Sequence, residues 1–180
     1  MKHKRRLSHG EFKVMQAIMK LVDLVRPYVP GRAETFGIAR GMTVVDYGCG
    51  PGRYTAEFAR LSGAEGKVYA VDLLEIALRE TEKRLKKRGV NNVALMLAKG
   101  YDSGVPDGVA DIVCAVDMFH HVEEAPFLKE AYRIAKRDGT MLISGGHQSR
   151  SSIKKSVADS GLWELTEENK TTIKFKKLIT

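Results

Sequence analysis

The stretch VVDYGCGPGRYTAEFA, residues 44–59, constrains the fold more than any other part of the chain. An apolar run meets an acid at Asp46, and three alternating glycines follow before a helical pattern begins: Gly48, Gly50 and Gly52. Glycine lacks a Cβ atom, so it permits a sharp turn and a close approach of the backbone to a ligand. A strand joined to a helix by such a loop predicts an α/β sheet with a ligand site at the carboxyl ends of its strands.

Strand-like and helix-like segments alternate along the chain. Short runs of β-branched and apolar residues predict five strands, at residues 42–48, 67–73, 93–98, 110–118 and 140–145. Apolar residues spaced three and four apart predict helices at residues 12–26, 53–61, 75–88 and 124–137, and one more from a cap at Ser151 or Ser152 to Ser160 and Gly161. This rhythm predicts a mostly parallel sheet covered by helices on both faces, a three-layer α-β-α sandwich.

Glycine and proline residues mark the predicted ends of these helices. The first helix is expected to end at Pro27, Pro30 and Gly31, and the helix at 124–137 at Asp138 and Gly139.

The last segment, LWELTEENKTTIKFKKLI, breaks the rhythm and predicts two strands joined by a polar turn at residues 167–170. Ile173 and Phe175 alternate with Lys174 and Lys176, so one face of the last strand is expected to be buried. The sheet therefore closes with a C-terminal antiparallel hairpin strand.

Composition limits the classes of protein that the chain can represent. With 180 residues, 43% of them hydrophobic, residues 1–180 suit a single domain with a real core. A net charge of +8 permits binding to nucleic acid or to an acidic surface but identifies neither. No apolar run approaches the roughly 18 residues of a membrane span, and the charges of Lys13, Lys20 and Asp23 interrupt any signal-peptide core.

Cysteine and amide usage suggest the setting in which the protein works. Cys49 and Cys114 are isolated, with no spacing typical of a metal site or a disulfide framework, so we expect a reducing cytoplasm and no metal. Asparagine and glutamine are rare while Lys, Arg and Glu are abundant, a composition typical of thermophile proteins.

The spacing of the glycine-rich loop argues against a dinucleotide site. The dinucleotide fingerprint needs a third glycine where this chain has Arg53. The stretch VVDYGCGPG instead resembles motif I of the class I S-adenosylmethionine-dependent methyltransferases. Asp72, which lies 24 residues after Gly48 at the end of the second strand, agrees with that family. VDMFHHV, residues 116–122, is similar to the branch that includes ubiquinone and menaquinone C-methyltransferases, and the closing hairpin matches the family's seven-stranded sheet.

The resemblance implies S-adenosylmethionine as cofactor and a role for each matching position. The loop from Asp46 to Gly52, Cys49 included, would hold the methionine portion. Asp72 would bind the ribose, with Leu73 against the adenine, and the backbone at Asp117 and Met118 would lie beside the sulfonium and face the methyl acceptor.

The sequence departs from the family pattern at the adenine end. The family carries an acid just after the third strand, where this chain has Lys99 and Gly100. Lysine cannot accept a hydrogen bond from the adenine amino group. Gly100 and Tyr101 are therefore expected to line the adenine, with Tyr101 or Asp102 taking the place of the acid.

His120 and His121 are the candidate catalytic residues, because an acceptor that loses a proton needs a base that titrates near neutrality. The alternative is that either histidine orients backbone or packs against the cofactor. The expected acceptor is an unidentified small molecule, with the basic tail and amphipathic helix of residues 1–31 as a lid over its site.

Two other functions remain open on the sequence. The basic clusters at residues 2–6, 83–88 and 174–177 would suit an RNA or protein methyltransferase, although nucleic acid is not favoured. The missing acid after the third strand would suit a non-catalytic protein that binds S-adenosylmethionine. The oligomeric state is open, with a homodimer as one alternative.

Overall fold

The computed structural model of the chain describes residues 8–25, 28–144, 146 and 148–179. The helices are α1 His9–Val25, α2 Val29–Glu34, α3 Arg53–Ser62, α4 Glu75–Lys87, α5 Glu124–Ile134 and α6 Arg150–Asp159, with a single 3-10 turn at Phe119–His121. The strands are β1 Thr43–Tyr47, β2 Lys67–Asp72, β3 Val93–Leu97, β4 Ala110–Val116, β5 Ala135–Ser144, β6 Trp163–Glu168 and β7 Thr172–Lys177.

The seven strands form one sheet in the order β3-β2-β1-β4-β5-β7-β6. The pairs from β3 to β5 are parallel, whereas β7 runs antiparallel to both β5 and β6. Successive residues of β1 face opposite sides of the sheet: Val44 belongs to a buried cluster with Phe58 of α3, and Val45 to a second cluster with Phe127 of α5. The predicted α-β-α sandwich with a closing hairpin is confirmed.

The strand order places a crevice between β1 and β4. From β1 the chain first builds outward through β2 and β3 and then returns to the other side of β1 with β4. In open α/β sheets, ligands bind outside the carboxyl ends of the strands at such a switch point. The glycine-rich loop follows β1, so the fold positions it there.

The helix predicted at residues 124–137 is three residues too long. It ends at Ile134, and residues 135–137, with Asp138 and Gly139, belong to β5. Ala135 pairs with Ala110 and Thr140 with Ile112, so residues 136–139 bulge opposite a single residue of β4. Helical spacing cannot reveal such a bulge, because its cause is pairing with a strand that is distant in sequence.

Two local predictions also need correction. Pro30 and Gly31 lie inside α2 instead of ending α1, and proline is favoured in the first turn of a helix, where its missing N–H costs nothing. Ser149, not Ser151 or Ser152, caps α6 by accepting a hydrogen bond from the Ser152 N–H. The predicted helix end at Arg26 and Pro27 and the predicted strand end at Gly145 lie outside the described residues.

The hairpin turn falls at residues 169–171, slightly later than predicted. The Asn169 side-chain oxygen accepts hydrogen bonds from the backbone N–H groups of Thr171 and Thr172, which fixes the turn. Ile173 and Phe175 are buried as expected.

The bulge in β5 requires glycine at residue 139. A Cβ atom there would lie 2.9 Å from the carbonyl oxygen of Ala110 and from backbone atoms of Lys136. We expect Gly139→Ala to lower the free energy of unfolding by about 1–3 kcal/mol, because backbone must shift to accommodate the methyl group.

Gly31→Ala is the matched control for this substitution. A Cβ at residue 31 meets nothing within 4 Å, and the residue is helical, so alanine should be neutral or slightly stabilising. Chemical denaturation of both variants measures the difference, and equal stabilities would contradict the tight packing at residue 139.

Candidate functional site

The glycine-rich loop turns sharply at the carboxyl end of β1. Gly48, Gly50 and Gly52 have φ angles of 76°, 53° and 71°, in the region that favours glycine. The backbone N–H groups of Gly48 and Cys49 both donate to the carbonyl oxygen of Val71, which ties the loop to β2.

Two of these glycines also meet close neighbours. A Cβ at Gly48 would lie 3.0 Å from the Met118 side chain, and one at Gly52 would lie 2.7 Å from Thr81 of α4. Cys49 is buried within the loop, and burial raises the pKa of its thiol well above the usual value, so it remains a neutral packing residue.

Asp46, the acidic residue of β1, is buried beneath this loop. Its carboxylate accepts a hydrogen bond from the Thr55 hydroxyl at 2.5 Å, and the side chain is 2% exposed. Burial raises its pKa to about 7, and the negative charge of Asp72 contributes in the same direction. Among the described residues, no lysine or arginine forms an ion pair with Asp46.

Asp72 ends β2 beside the same loop. One carboxylate oxygen accepts the Gly50 N–H and the other accepts the Leu74 N–H, each at 2.9 Å. Burial raises the pKa of Asp72, while the backbone donors oppose that rise. A carboxylate offers about four acceptor sites, so Asp72 can also accept a hydrogen bond from a ligand hydroxyl.

The electrostatics of this pair select the kind of ligand. Two largely buried carboxylates without an ion-pair partner in the described structure favour a cation and repel an anion. The pyrophosphate of a dinucleotide binds at such a loop, so it would lie close to the buried Asp46. A ligand with a cationic group and a ribose diol would satisfy Asp46 and Asp72 together.

The carboxyl end of β4 faces the loop from the other side of the crevice. Asp117 has a φ of +53°, the left-handed value that side chains rarely adopt, and it turns the chain into the 3-10 segment. Met118, the next residue, packs over Gly48. Asp117 and Met118 therefore lie at the end of β4 that faces the glycine-rich loop.

Arg32 of α2 reaches this edge and was not identified from the sequence. Its guanidinium donates to the Tyr54 hydroxyl at 3.0 Å, to the Ser144 hydroxyl and, at 3.4 Å, to the Asp117 carboxylate. Arg32 thus connects α2, α3 and the ends of β4 and β5. A single arginine in a short helix carries no local signal for such contacts, which depend on the tertiary fold.

His120 and His121 lie on the 3-10 turn, at the same edge of the sheet. Their ring centroids are 3.9 Å apart, and His120 is half-buried whereas His121 is exposed. Gly146 lies against the His120 ring, since a Cβ there would be 2.5 Å from the ring carbon Cε1. Both histidines follow β4 in the chain, and His120 lies against the segment that follows β5.

The segment after β3 forms a tight turn. The Lys99 N–H donates to the Asp102 carbonyl, and Gly100 has a φ of +66°. The Tyr101 hydroxyl accepts the Glu123 N–H, which directs the ring toward the start of α5. The Asp102 carboxylate accepts the Gly104 N–H and is exposed. Of the two proposed replacements for the missing acid, Asp102 has the freer acceptor groups.

The described residues offer neither a metal centre nor a membrane-spanning helix. Within residues 8–25, 28–144, 146 and 148–179, no group of three or more His, Cys, Asp and Glu side chains is arranged to hold a metal ion. In the same part of the chain, no helix has both the length and the apolar content needed to cross a bilayer.

Known proteins match both the sequence and the fold. A family model described as a methyltransferase domain matches residues 45–143. The ubiquinone/menaquinone biosynthesis C-methyltransferase UbiE of Escherichia fergusonii is 33% identical over 109 residues, which are 59% of this chain and 43% of that protein. The UbiE of Yersinia enterocolitica is 32% identical over 109 residues, which are again 59% of this chain and 43% of that protein. The chain spans less than half the length of these curated relatives.

Solved structures agree on the fold. A SAM-dependent methyltransferase from Aquifex aeolicus superposes with a TM-score of 0.77 and 24% identity, over 97% of this chain and 100% of the other. A TehB-like SAM-dependent methyltransferase from Corynebacterium glutamicum superposes with a TM-score of 0.74 and 15% identity, over 95% of this chain and 100% of the other.

The fold and these matches confirm the resemblance to the class I methyltransferases that the loop motif predicted. The chain belongs to the methyltransferase domain family whose model spans residues 45–143.

The raised pKa of Asp46 predicts how stability depends on pH. Between its ordinary value of 3.8 and about 7, the unfolded chain releases a proton that the folded protein retains. The free energy of unfolding should therefore fall by about 2–4 kcal/mol as pH rises through this window, and Asp46→Asn should remove that fall. Denaturant titrations at several pH values measure it.

The same substitution should affect ligand binding in the opposite sense. Asp46→Asn is expected to weaken S-adenosylmethionine binding at pH 8 by about tenfold or more, because the buried negative charge is lost. Asp159→Asn removes an exposed carboxylate that pairs with Lys155 and serves as control. Unchanged affinity in the Asp46 variant would contradict a role for Asp46 in binding the cationic ligand.

Proposed function

We propose that this protein transfers the methyl group of S-adenosylmethionine to a small-molecule acceptor. The observation that carries the proposal is a pair of acids, the buried Asp46 and the partly buried Asp72, beside a glycine-rich loop at the switch point of the sheet. S-adenosylmethionine has both a cationic portion and a ribose diol, so its chemistry fits this pair. The relatives named as ubiquinone/menaquinone C-methyltransferases support a small-molecule acceptor.

In this proposal the loop binds the methionine portion of the cofactor. Asp46 faces its amino group, and backbone from Gly48 through Cys49 and Gly50 to Gly52 approaches it closely. The positive φ angles and the absence of Cβ atoms support that close approach.

The nucleoside portion extends toward β2 and β3. Asp72 accepts the two ribose hydroxyls, since both of its oxygens are already oriented by backbone N–H groups. Leu73 covers one face of the adenine, and Gly100 and Tyr101 line its edge. Asp102 accepts the hydrogen bond that an acid accepts in the family.

The acceptor lies at the ends of β4 and β5. When bound, the cofactor supplies an electrophilic methyl group on its sulfonium, so the protein chiefly has to align the acceptor with it. The backbone of Asp117 and Met118 borders the transfer path. His120 or His121 takes the proton that the acceptor loses, which their place on the turn after β4 supports.

In this proposal the N-terminal segment serves as a lid over the site, through the residues of it that the structure describes, 8–25 and 28–31. In its described part, Phe12 of α1 packs against Ile76 and Ala77 of α4, directly after the ribose-binding acid. A helix in that position can shield the cofactor from water.

The charge pattern supports a small molecule over RNA. In two of the basic clusters, cations pair with acids: Lys83 with Glu80, Lys86 with Glu82 and Lys174 with Glu167. Such pairs reduce the positive potential available to phosphates.

The composition supports two statements about setting. We infer a cytoplasmic location from the isolated, buried cysteines, and a thermophile source from the scarcity of amides. The melting temperature should therefore exceed the range of about 45–65 °C that is common in mesophile domains. A value inside that range would count against the thermophile source.

Substitutions at the nucleoside end test the assignment of the two acids. Asp72→Asn should weaken cofactor binding by about 10- to 100-fold, because an amide cannot accept hydrogen bonds on both of its atoms. Asp102→Ala should weaken it by a smaller factor, about threefold to tenfold. Calorimetric titration measures both, with Asp107→Ala as an exposed control; wild-type affinity in Asp102→Ala would remove that residue from adenine recognition.

A ligand search tests the function as a whole. Mass spectrometry of the purified protein should detect S-adenosylhomocysteine or S-adenosylmethionine, and a tritium-labelled methyl group should pass to members of a panel of small molecules. NAD in place of these ligands would contradict the proposal. Cofactor binding without turnover on any acceptor would favour a non-catalytic protein, and salt-sensitive retention of RNA that becomes methylated would favour an RNA methyltransferase.

A further inference from the structure

Helix α1 has two apolar sides, and only one of them packs on the domain. On the inner side, Phe12 is 1% exposed and belongs to a cluster with Ile76 and Ala77, and the Gln16 amide donates to Glu80. The inner side is thus fixed to α4.

The outer side of α1 is unusually apolar for an exposed surface. Val14, Ile18 and Leu21 are 62%, 59% and 62% exposed, and Val22 is 40% exposed. Their spacing of four, three and one residues places them on one face, roughly opposite Phe12. A shallow depression on this side is lined by Glu11, Val14, Met15, Ile18 and Met19. We call Val14, Ile18, Leu21 and Val22 the outer face.

Scattered exposed apolar residues are normal on a protein surface, whereas a contiguous patch marks an interaction site. The other large exposed apolar residues of the described chain, such as Leu97, Leu165 and Ile179, lie on separate elements. Four exposed apolar side chains on one face of a single helix therefore mark that face as an interaction surface.

The sequence around α1 is net basic, although Glu11 lines the depression and Asp23 is also in the helix sequence. Lys13 is exposed on α1, Lys20 is also in the helix sequence, and the sequence KHKRR at residues 2–6 precedes it. The whole chain carries a net charge of +8. A helix with an apolar face and basic neighbours is the pattern that binds in the plane of an anionic membrane surface.

A second copy of the chain fits this surface less well. The outer face offers four side chains, whereas a stable protein interface uses about 20–30 residues a side. Two such faces would also bring the like charges of their basic neighbours together. We propose that α1 docks the protein on an anionic lipid bilayer through its outer face, with the net positive charge of the chain adding an electrostatic attraction to the headgroups.

Docking through α1 would place the lid of the active site at the membrane surface. Because α1 packs on α4 immediately after Asp72, the edge of the sheet that holds the site would lie close to the bilayer. The inference does not depend on the identity of the methyl acceptor, since it concerns the outside of the lid.

Vesicle co-sedimentation tests the proposal. The full chain is mixed with phosphatidylcholine vesicles and with vesicles that also contain phosphatidylglycerol. The wild-type protein should sediment with the anionic vesicles, less so at high salt, and only weakly with phosphatidylcholine alone. The double variant Ile18→Asp with Leu21→Asp should bind more than about tenfold more weakly.

The matched control is Leu165→Asp with Ile179→Asp. It makes the same change in charge and hydrophobicity at exposed positions away from α1 and should bind like the wild type. Val14→Asp is a milder variant of the outer face, with a smaller loss expected. Unchanged circular dichroism spectra and melting temperatures show that the variants are folded. Titration of the wild type with S-adenosylmethionine reports the proposed function separately from docking.

Several results would overturn the proposal. The wild type could fail to sediment with anionic vesicles, the control variant could lose as much binding as the outer-face variants, or the outer-face variants could bind as the wild type does. A dimer that these variants dissociate, without vesicle binding, would assign the outer face to a second copy instead.

Discussion

The site depends on a carboxylate that the fold buries without a cation. Asp46 lies under the glycine-rich loop with the Thr55 hydroxyl as its described hydrogen-bond donor, and burial raises its pKa to about 7. A buried acid of this kind reduces the stability of the folded chain at neutral pH, because water solvates its charge better in the unfolded state. Under the proposed function, a cationic ligand would recover that loss, and the instability and the binding would then have one cause.

The topology places the remaining groups around that acid. Asp72 comes from β2, Asp117 from the end of β4, and Arg32 from a helix that precedes the sheet, yet all lie at one edge because the strand order reverses beside β1. Arg32 also holds Asp117 near its unusual backbone conformation through their ion pair at 3.4 Å. The cofactor side is thus acidic and glycine-rich, whereas the acceptor side carries Arg32, Tyr54 and the two histidines.

Local signals in the sequence were sufficient for the cofactor side. The loop, the acid at the end of β2 and the alternating strands are each encoded in short stretches, and all lie where they were predicted. Contacts between distant segments were not predictable in this way. Arg32 reaches Ser144 across the fold, the bulge before Thr140 arises from pairing with β4, and the Tyr101 hydroxyl accepts the Glu123 N–H just before α5. Likewise, the helical pattern of α1 could not show which of its two apolar sides packs.

The central claim is that the buried acids make this crevice a site for a cationic nucleoside. Calorimetric titration of the same protein sample with S-adenosylmethionine and with NAD, at pH 8 and low salt, tests it most directly. The account predicts saturable binding of S-adenosylmethionine and at least about a hundredfold weaker binding of NAD, whose pyrophosphate would lie at the glycine-rich loop above Asp46. Tighter binding of NAD, or equal affinity for the two ligands, would contradict it.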